Sequence, residues 1–195
     1  MSDTNIFPLT TARWSDFETL FGERGGCGGC WCMWWYLRHS DFERQKGAAN
    51  REAMQQMVLS GRVPGLLAYR DGGPVGWCAL GPREIYPRLA RSRILQPVDD
   101  QPVWSVVCFF IPRRFRRQGL SLALLKGAVD YARQNGARIV EGYPVAPRQE
   151  KAPDAFVWTG LEHTFLRAGF REVARRSPTR PIYRYFSETE TGTPP

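Results

Sequence analysis

The residues in this sequence best suited to binding chemistry form an arginine-rich turn between an apolar run and a helical pattern. Residues 103–111, VWSVVCFFI, are rich in β-branched and aromatic side chains, as in a strand covered on both faces. Pro112 has no amide to donate to a sheet, and residues 113–119 then place four arginines before a glycine. The first amides of a helix lack helical partners and carry the positive end of its dipole, and Gly119 allows close backbone approach. We therefore expect a pyrophosphate to bind where this turn meets the following helix.

Two elements after the turn are needed to position it. A helical period begins after Gly119 and stops at Gly136. Residues 137–145 predict the next strand, which must run parallel to the strand at 103–111 because a helix crosses between them. Apolar residues recur along this helix at spacings of three, four and three, namely at Leu122, Leu125, Val129 and Ala132.

The rest of the chain supplies mostly antiparallel strands and flanking helices. A hairpin is predicted around the Asp-Gly-Gly of residues 71–73, and residues 81–101 form a long irregular connection. A polar loop is expected at 146–154. The remaining predicted strands are 5–10, 65–70, 74–80, 170–175 and 181–186, and the remaining predicted helices are 11–21, 48–59 and 161–168.

Length and composition indicate one globular domain. The chain has 195 residues, of which 43% are hydrophobic and 24% are charged. We expect residues 1–186 to form this domain and residues 187–195 to be a flexible tail. There is no run of about 20 apolar residues and no basic-then-apolar leader, so we expect a cytoplasmic protein without a membrane span.

The formal charge of +8 is unevenly distributed. Residues 1–100 carry 12 Lys and Arg against 11 Asp and Glu, whereas residues 101–195 carry 15 against 8. A basic half attracts polyanions, and a nucleic-acid-binding module is one explanation. No helix-turn-helix, zinc-finger or RNA-binding motif is recognisable, so we expect no nucleic-acid partner.

The turn resembles the pyrophosphate loop of the GNAT superfamily of acetyl-CoA-dependent N-acyltransferases. That loop reads Arg/Gln-x-x-Gly-x-Gly/Ala, and residues 116–121, RRQGLS, match it except at Ser121. The junction at 165–170, FLRAGF, is similar to the family's Tyr-x-x-x-Gly-Phe, and the order of elements over roughly 60–186 also resembles the GNAT fold.

The resemblance implies an α/β fold of the α+β type. Its sheet is mixed, mostly antiparallel and twisted, with a central parallel strand pair splayed around the cofactor and helices on both faces. Acetyl-CoA would be the co-substrate, with no metal. The backbone of Phe109, Phe110 and Ile111 would contact its pantetheine arm and acetyl oxygen. Its phosphates would bind at Arg116, Arg117, Gln118, Gly119, Leu120 and Ser121.

The catalytic proton carriers are less clearly marked. The family often uses a tyrosine to protonate the departing thiolate, but Phe165 occupies that position here. His163 and Tyr143 are the nearby alternatives. For the base we consider Glu141 and, second, Glu84; an acid inside a strand is otherwise bonded to a neighbour such as an arginine.

A glycine- and cysteine-rich segment precedes a cluster of tryptophans. Cys27, Cys30 and Cys32 suggest a zinc site, but the full ligand set is missing, and the context for a redox pair is also absent. We rank a substrate-pocket or packing loop first, zinc second and redox third. The wall of an amine pocket would comprise Trp31, Cys32, Trp34 and Trp35; these tryptophans are equally compatible with plain core.

Several functions are compatible with these features. The leading hypothesis is acetyl transfer by direct attack of a primary amine of a small molecule. An amino sugar or an aminoglycoside-type antibiotic is one possible acceptor. We expect the protein to be a monomer or a homodimer. Alternatives are a peptide or protein amine acetyltransferase, a nucleic-acid-binding module and a non-catalytic acyl-CoA-binding domain.

Overall fold

A computed structural model describes residues 3–146 and 157–187 of the chain. It contains a seven-stranded sheet in the order β1-β2-β3-β4-β5-β7-β6. The strands are β1 (Asn5–Pro8), β2 (Gly65–Arg70), β3 (Gly73–Pro82), β4 (Trp104–Phe110), β5 (Ile139–Gly142), β6 (Arg171–Ala174) and β7 (Ile182–Phe186). The helices are α1 (Trp14–Phe21), α2 (His39–Gln45), α3 (Ala48–Leu59), α4 (Pro87–Arg91), α5 (Leu120–Gln134) and α6 (Glu162–Arg167).

The centre of the sheet divides, as predicted. All neighbouring strands are antiparallel except β4 and β5, which are parallel and pair only from Trp104 to Val106 on β4. Because β4 continues to Phe110 without this partner, the two strands separate and a gap opens between them. The predicted mixed sheet with a splayed parallel pair is therefore confirmed.

An extra residue bends β4 at the gap. Ala79 pairs with Cys108 while Leu80 pairs with Val106, so Val107 has no partner in β3 and forms a bulge. Its carbonyl accepts a hydrogen bond from the indole of Trp35 at 2.8 Å. The bulge is thus held by the aromatic segment that precedes α2.

Two apolar cores lie on opposite faces of the sheet. One contains Phe17 of α1, Met54 of α3 and Trp77 of β3. The other packs α5, through residues such as Leu124 and Leu125, against the opposite face of the strands. The 3.6-residue period predicted for α5 places its apolar stripe on this second core.

Some boundaries differ from the predictions. The irregular connection 81–101 includes α4 and a 3-10 turn at Arg83–Ile85, and the segment before α3 includes α2. β5 ends at Gly142 rather than at residue 145, and Val145 makes only an isolated parallel bridge with Leu161. The predicted loop 146–154 and tail 187–195 lie almost wholly outside the described residues. In the described ranges, no helix has the length and apolar character needed to cross a membrane.

Candidate active site

A cleft of about 1390 Å³ opens where β4 leaves β5. Its floor is the end of β4, including Phe109 and Phe110, and one end is the turn that leads into α5. The other end is formed by the aromatic segment before α2, and the segment around Trp158 covers one side. The predicted cofactor and acceptor regions therefore meet in a single cavity.

The turn before α5 has the backbone shape of an anion cradle. Arg117 and Gly119 both have positive φ, 60° and 79° respectively, which is uncommon for an arginine and indicates a constrained loop. The carbonyl of Gly119 accepts the amides of Leu122 and Ala123, so the amides before these have no helical carbonyl to bond. A side chain at Gly119 would meet no atom within 4 Å, which leaves room for a ligand against the backbone.

The chemistry of this end fits a diphosphate. Three guanidinium groups line it, those of Arg113, Arg116 and Arg117, and Leu120 and Ser121 line it at the first turn of α5. Arginine and free amides are both good partners for phosphate oxygens. The serine that replaces the usual small residue of the motif fits here because it lies on the cleft wall, half-buried.

Gln118 has a different position from its neighbours in the turn. Its side-chain oxygen accepts from Arg70 Nη1 at 2.8 Å, and its backbone carbonyl accepts from Arg70 Nη2 at 2.9 Å. Its side-chain nitrogen, Nε2, donates to the carbonyl of Arg114 at 3.1 Å. Gln118 therefore ties the turn to the end of β2. Sequence reasoning missed Arg70, whose only signal is its place at a strand end beside a tight turn.

The main chain of β4 is only partly available to a ligand. The amide of Phe109 donates to the carbonyl of Trp158 at 2.6 Å, so the protein's own backbone fills part of the gap. The carbonyl of Ile111 accepts from Arg116 Nε at 2.8 Å. Phe109, Phe110 and Ile111 all line the cleft, and their contact with the cofactor arm stays a prediction of the family resemblance.

Aromatic rings form the other end of the cleft. Trp34 meets Trp158 edge to face at 6.3 Å between ring centroids, and Trp35 lies 5.6 Å from the same ring. Phe42 of α2 packs against Trp34 at 5.0 Å. Trp31, in contrast, is buried and stacks on Phe21 at 5.8 Å, and it is not one of the residues lining this cleft.

Four of the five cysteines line the cleft, and all five are free thiols. Cys32 accepts a hydrogen bond from the indole of Trp77 at 3.1 Å. A hydrogen bond with Cys32, together with burial, raises the pKa of the Cys108 thiol well above its usual value. Within 3–146 and 157–187, no group of three His, Cys, Asp or Glu side chains is placed to hold a metal ion. These cysteines therefore contribute thiol surface to the wall.

Glu141 lies outside the cleft in a buried ion-pair network. Its side chain is fully buried, and its two oxygens bond to Arg83 Nη1 at 2.7 Å and to Arg184 Nε at 2.8 Å. Arg184 also pairs with Asp99 at 2.7 Å, and this bond lowers the pKa of the Asp99 carboxyl. Of the two interpretations of this strand acid, the structure shows the one in which arginines bind it.

Tyr143 completes the same network. Its hydroxyl donates to Glu141 at 2.7 Å and accepts from Arg83 at 2.6 Å, and it lies 2.8 Å from Ser105 Oγ. Burial raises the pKa of this phenol well above its usual value. The side chain is fully buried and is not among the residues that line the cleft.

The two other proton carriers differ in position. Glu84 is exposed on the 3-10 turn after β3 and does not line the cleft. His163, in the first turn of α6, lies on the cleft wall beside Thr164. Phe165 is fully buried, with its ring against Phe109 and Phe170, so the position where the motif expects a tyrosine serves the core.

Comparison with known proteins connects this geometry to a family. A family model described as the acetyltransferase (GNAT) family matches residues 31–155, more than half of the chain. No curated protein sequence matches the chain.

Solved structures with the same fold are numerous. One is PaiA N-acetyltransferase from Thermoplasma acidophilum in complex with coenzyme A, with 12% identity and a TM-score of 0.53, covering 95% of this chain and 99% of that one. The histone acetyltransferase HPA2 and related acetyltransferase from Corynebacterium glutamicum has 17% identity and a TM-score of 0.55, covering 98% and 99%. An agmatine N-acetyltransferase has 11% identity and a TM-score of 0.56, covering 95% and 100%. At these identities the likeness shows the fold.

Proposed function

Because this chain belongs to the acetyltransferase (GNAT) family, we propose that it moves an acetyl group from acetyl-CoA to the amine of a small molecule. The observation that carries the proposal is the single cleft that runs from the arginine-rich turn, along the end of β4, to the aromatic wall. The turn offers arginines and helix amides to the diphosphate of the coenzyme, and the wall offers aromatic surface to a small acceptor. A structural neighbour in complex with coenzyme A is consistent with the coenzyme end of this pairing.

Each part of the cleft has a defined task in this reaction. Acetyl-CoA supplies a thioester, whose carbonyl carbon accepts the amine. Arg113, Arg116, Arg117 and the amides around Gly119 hold the diphosphate, and the end of β4 aligns the arm along the floor of the cleft. The new C–N bond forms as the C–S bond breaks, the amine loses a proton, and the departing thiolate gains one.

We assign the proton transfer to His163. Of the residues that line the cleft in the described part of the chain, it is the one histidine, and an imidazole can both accept and donate a proton. Tyr143 and Glu141 take no part in this transfer in our proposal, since both bond to Arg83 outside the cleft. Glu84 has no role in our proposal.

Gly119→Glu tests the coenzyme site directly. A carboxylate at this position would enter the open space against the phosphates and repel them, so we expect coenzyme A binding to be lost in isothermal titration calorimetry. Gly136→Glu is the matched control, because Gly136 follows the other end of α5 and has φ of 83°, and a side chain there would also meet no atom within 4 Å. Equal affinity of Gly119→Glu and Gly136→Glu for coenzyme A would refute the assignment.

A further inference from the structure

The acceptor end of the cleft combines aromatic rings with thiols. Trp34, Trp35, Phe42 and Trp158 supply the rings, and Cys32 adds a thiol. Among the described residues that line the cleft, none is an aspartate or a glutamate. Such a wall offers apolar contact and the negative faces of π-systems, but no ion pair to an ammonium group.

A cation lies behind this wall. The guanidinium of Arg88 lies 3.6 Å from the ring centroid of Trp34, and its Nε donates to the carbonyl of Leu37 at 2.8 Å. Its Nη2 is buried and has no hydrogen-bond partner among the described residues. One face of the Trp34 ring is thus already covered by the guanidinium of Arg88. The opposite end of the cleft is lined by the arginines of the turn.

An acceptor with several ammonium groups would be poorly stabilised here. Each further charge would lose its hydration on entering an apolar wall whose described residues offer no carboxylate to replace the water. Each would also be repelled by the arginines of the turn and by Arg88 behind Trp34. One amine on an apolar body avoids both penalties and makes use of the aromatic surface.

The same wall also favours the neutral form of that amine. Removal of water disfavours an ammonium ion, so its pKa falls when it enters an apolar site. The amine can then release its proton to water or His163, and its lone pair attacks the thioester carbonyl. A carboxylate base beside the acceptor is not required for this step.

We infer that the acceptor is a monoamine carried on an aromatic body, of the arylalkylamine class, and that polyamines and aminoglycosides are excluded. The inference rests on the proposed acetyltransferase function and narrows its acceptor. Amino sugars, which the sequence analysis considered as acceptors, are not substrates under this inference.

The test compares three amines with the full-length protein and acetyl-CoA, following thiol release. We expect kcat/KM for 2-phenylethylamine to exceed that for 1,4-diaminobutane and for kanamycin by about tenfold or more. A preference for either polycation, or no acetylation of 2-phenylethylamine by protein that binds acetyl-CoA, would overturn the inference and leave the coenzyme site intact. Loss of acetyl-CoA binding by calorimetry would instead remove the proposed function itself.

A pair of tryptophan variants locates the acceptor. Trp34→Ala should raise KM for 2-phenylethylamine about tenfold with little change in KM for acetyl-CoA, and Trp34→Phe should recover part of the loss. Trp104→Ala is the matched control, since Trp104 is also half-buried but packs on Tyr131 of α5, away from the cleft. Equal effects of Trp34→Ala and Trp104→Ala on KM for 2-phenylethylamine would contradict the placement.

Discussion

Glu141 shows how one residue can suggest chemistry in a sequence and serve structure in the fold. A carboxylate in the middle of an apolar strand is costly unless it is paired, so the sequence predicted either a functional acid or an arginine-bound one. The choice depends on Arg83 and Arg184, which lie 58 and 43 positions away along the chain. Local sequence contains no information on such distant pairing.

We expect Glu141→Gln to affect stability much more than catalysis. Removing this charge leaves Arg83 and Arg184 partly unpaired in the interior, which should lower the free energy of unfolding by about 3 kcal/mol in urea titrations. At a temperature where the variant stays folded, kcat should stay within about threefold of the wild-type value.

The exposed Glu84 provides the matched control for this comparison. Glu84→Gln should leave the free energy of unfolding within about 0.5 kcal/mol of wild type, as expected for a surface position. If Glu141→Gln were fully stable but lost about a hundredfold in kcat, Glu141 would be the base after all.

Among the elements, the strand, turn and helix from β4 to α5 were predicted best. Pro112, Gly119 and Gly136 mark their ends, and the apolar period changes at the turn, so each boundary has a local cause. Helix α4 was missed because it has five residues and depends on tertiary contacts: Leu89 is fully buried, and Arg88 bonds to Leu37. Of the tryptophans expected in the wall of an amine pocket, Trp34 and Trp35 line the cleft and Trp31 joins the core.

The turn also depends on an element that the motif does not include. Arg70, at the end of β2, binds both the side chain and the carbonyl of Gln118. Arg70→Ala should therefore loosen the turn and raise the dissociation constant for coenzyme A about tenfold in calorimetry, which corresponds to the loss of charged hydrogen bonds.

An exposed arginine at the far end of α5 serves as the comparison. Arg133→Ala removes an equal charge from the last turn of this helix, outside the cleft, and should leave the dissociation constant unchanged. Similar weakening by Arg133→Ala and Arg70→Ala would mean that overall charge, and not the brace on Gln118, determines affinity.

At the scale of the whole molecule, the sheet consists of two parts with a narrow junction. β4 and β5 share three residue pairs, and the buried Arg83–Glu141–Arg184 network spans the strands around this junction. These ion pairs connect the two parts of the sheet where the backbone pairing between β4 and β5 is short. The sequence predicted the splay through the family resemblance, but it could not reveal what holds the two parts together below the gap.

Two thiols with raised pKa values predict how the stability of the whole protein varies with pH. Burial raises the pKa of Cys78, and a hydrogen bond with Cys32 raises that of Cys108, well above the ordinary thiol value. The folded state then holds protons that the unfolded chain releases. Above about pH 8.5, each such thiol should reduce the free energy of unfolding by about 1.4 kcal/mol per pH unit, until the folded pKa is reached.

Urea titrations between neutral and alkaline pH would measure this slope. Cys78→Ala should remove the part of this slope that Cys78 contributes. Val106→Ala, which removes buried apolar atoms from the neighbouring strand, should lower the free energy of unfolding equally at every pH. An unchanged alkaline slope in Cys78→Ala would show that its ionisation does not limit stability.

The bond between the Phe109 amide and the Trp158 carbonyl has a consequence for where affinity originates. A guest that reaches this amide must take it from the protein's own backbone, so one hydrogen bond is exchanged for another and the net gain is small. In our proposal, most of the affinity for acetyl-CoA would then come from the far end, where the arginines of the turn would bind the diphosphate. The thioester end would be held more weakly, which suits a group that has to depart after every turnover.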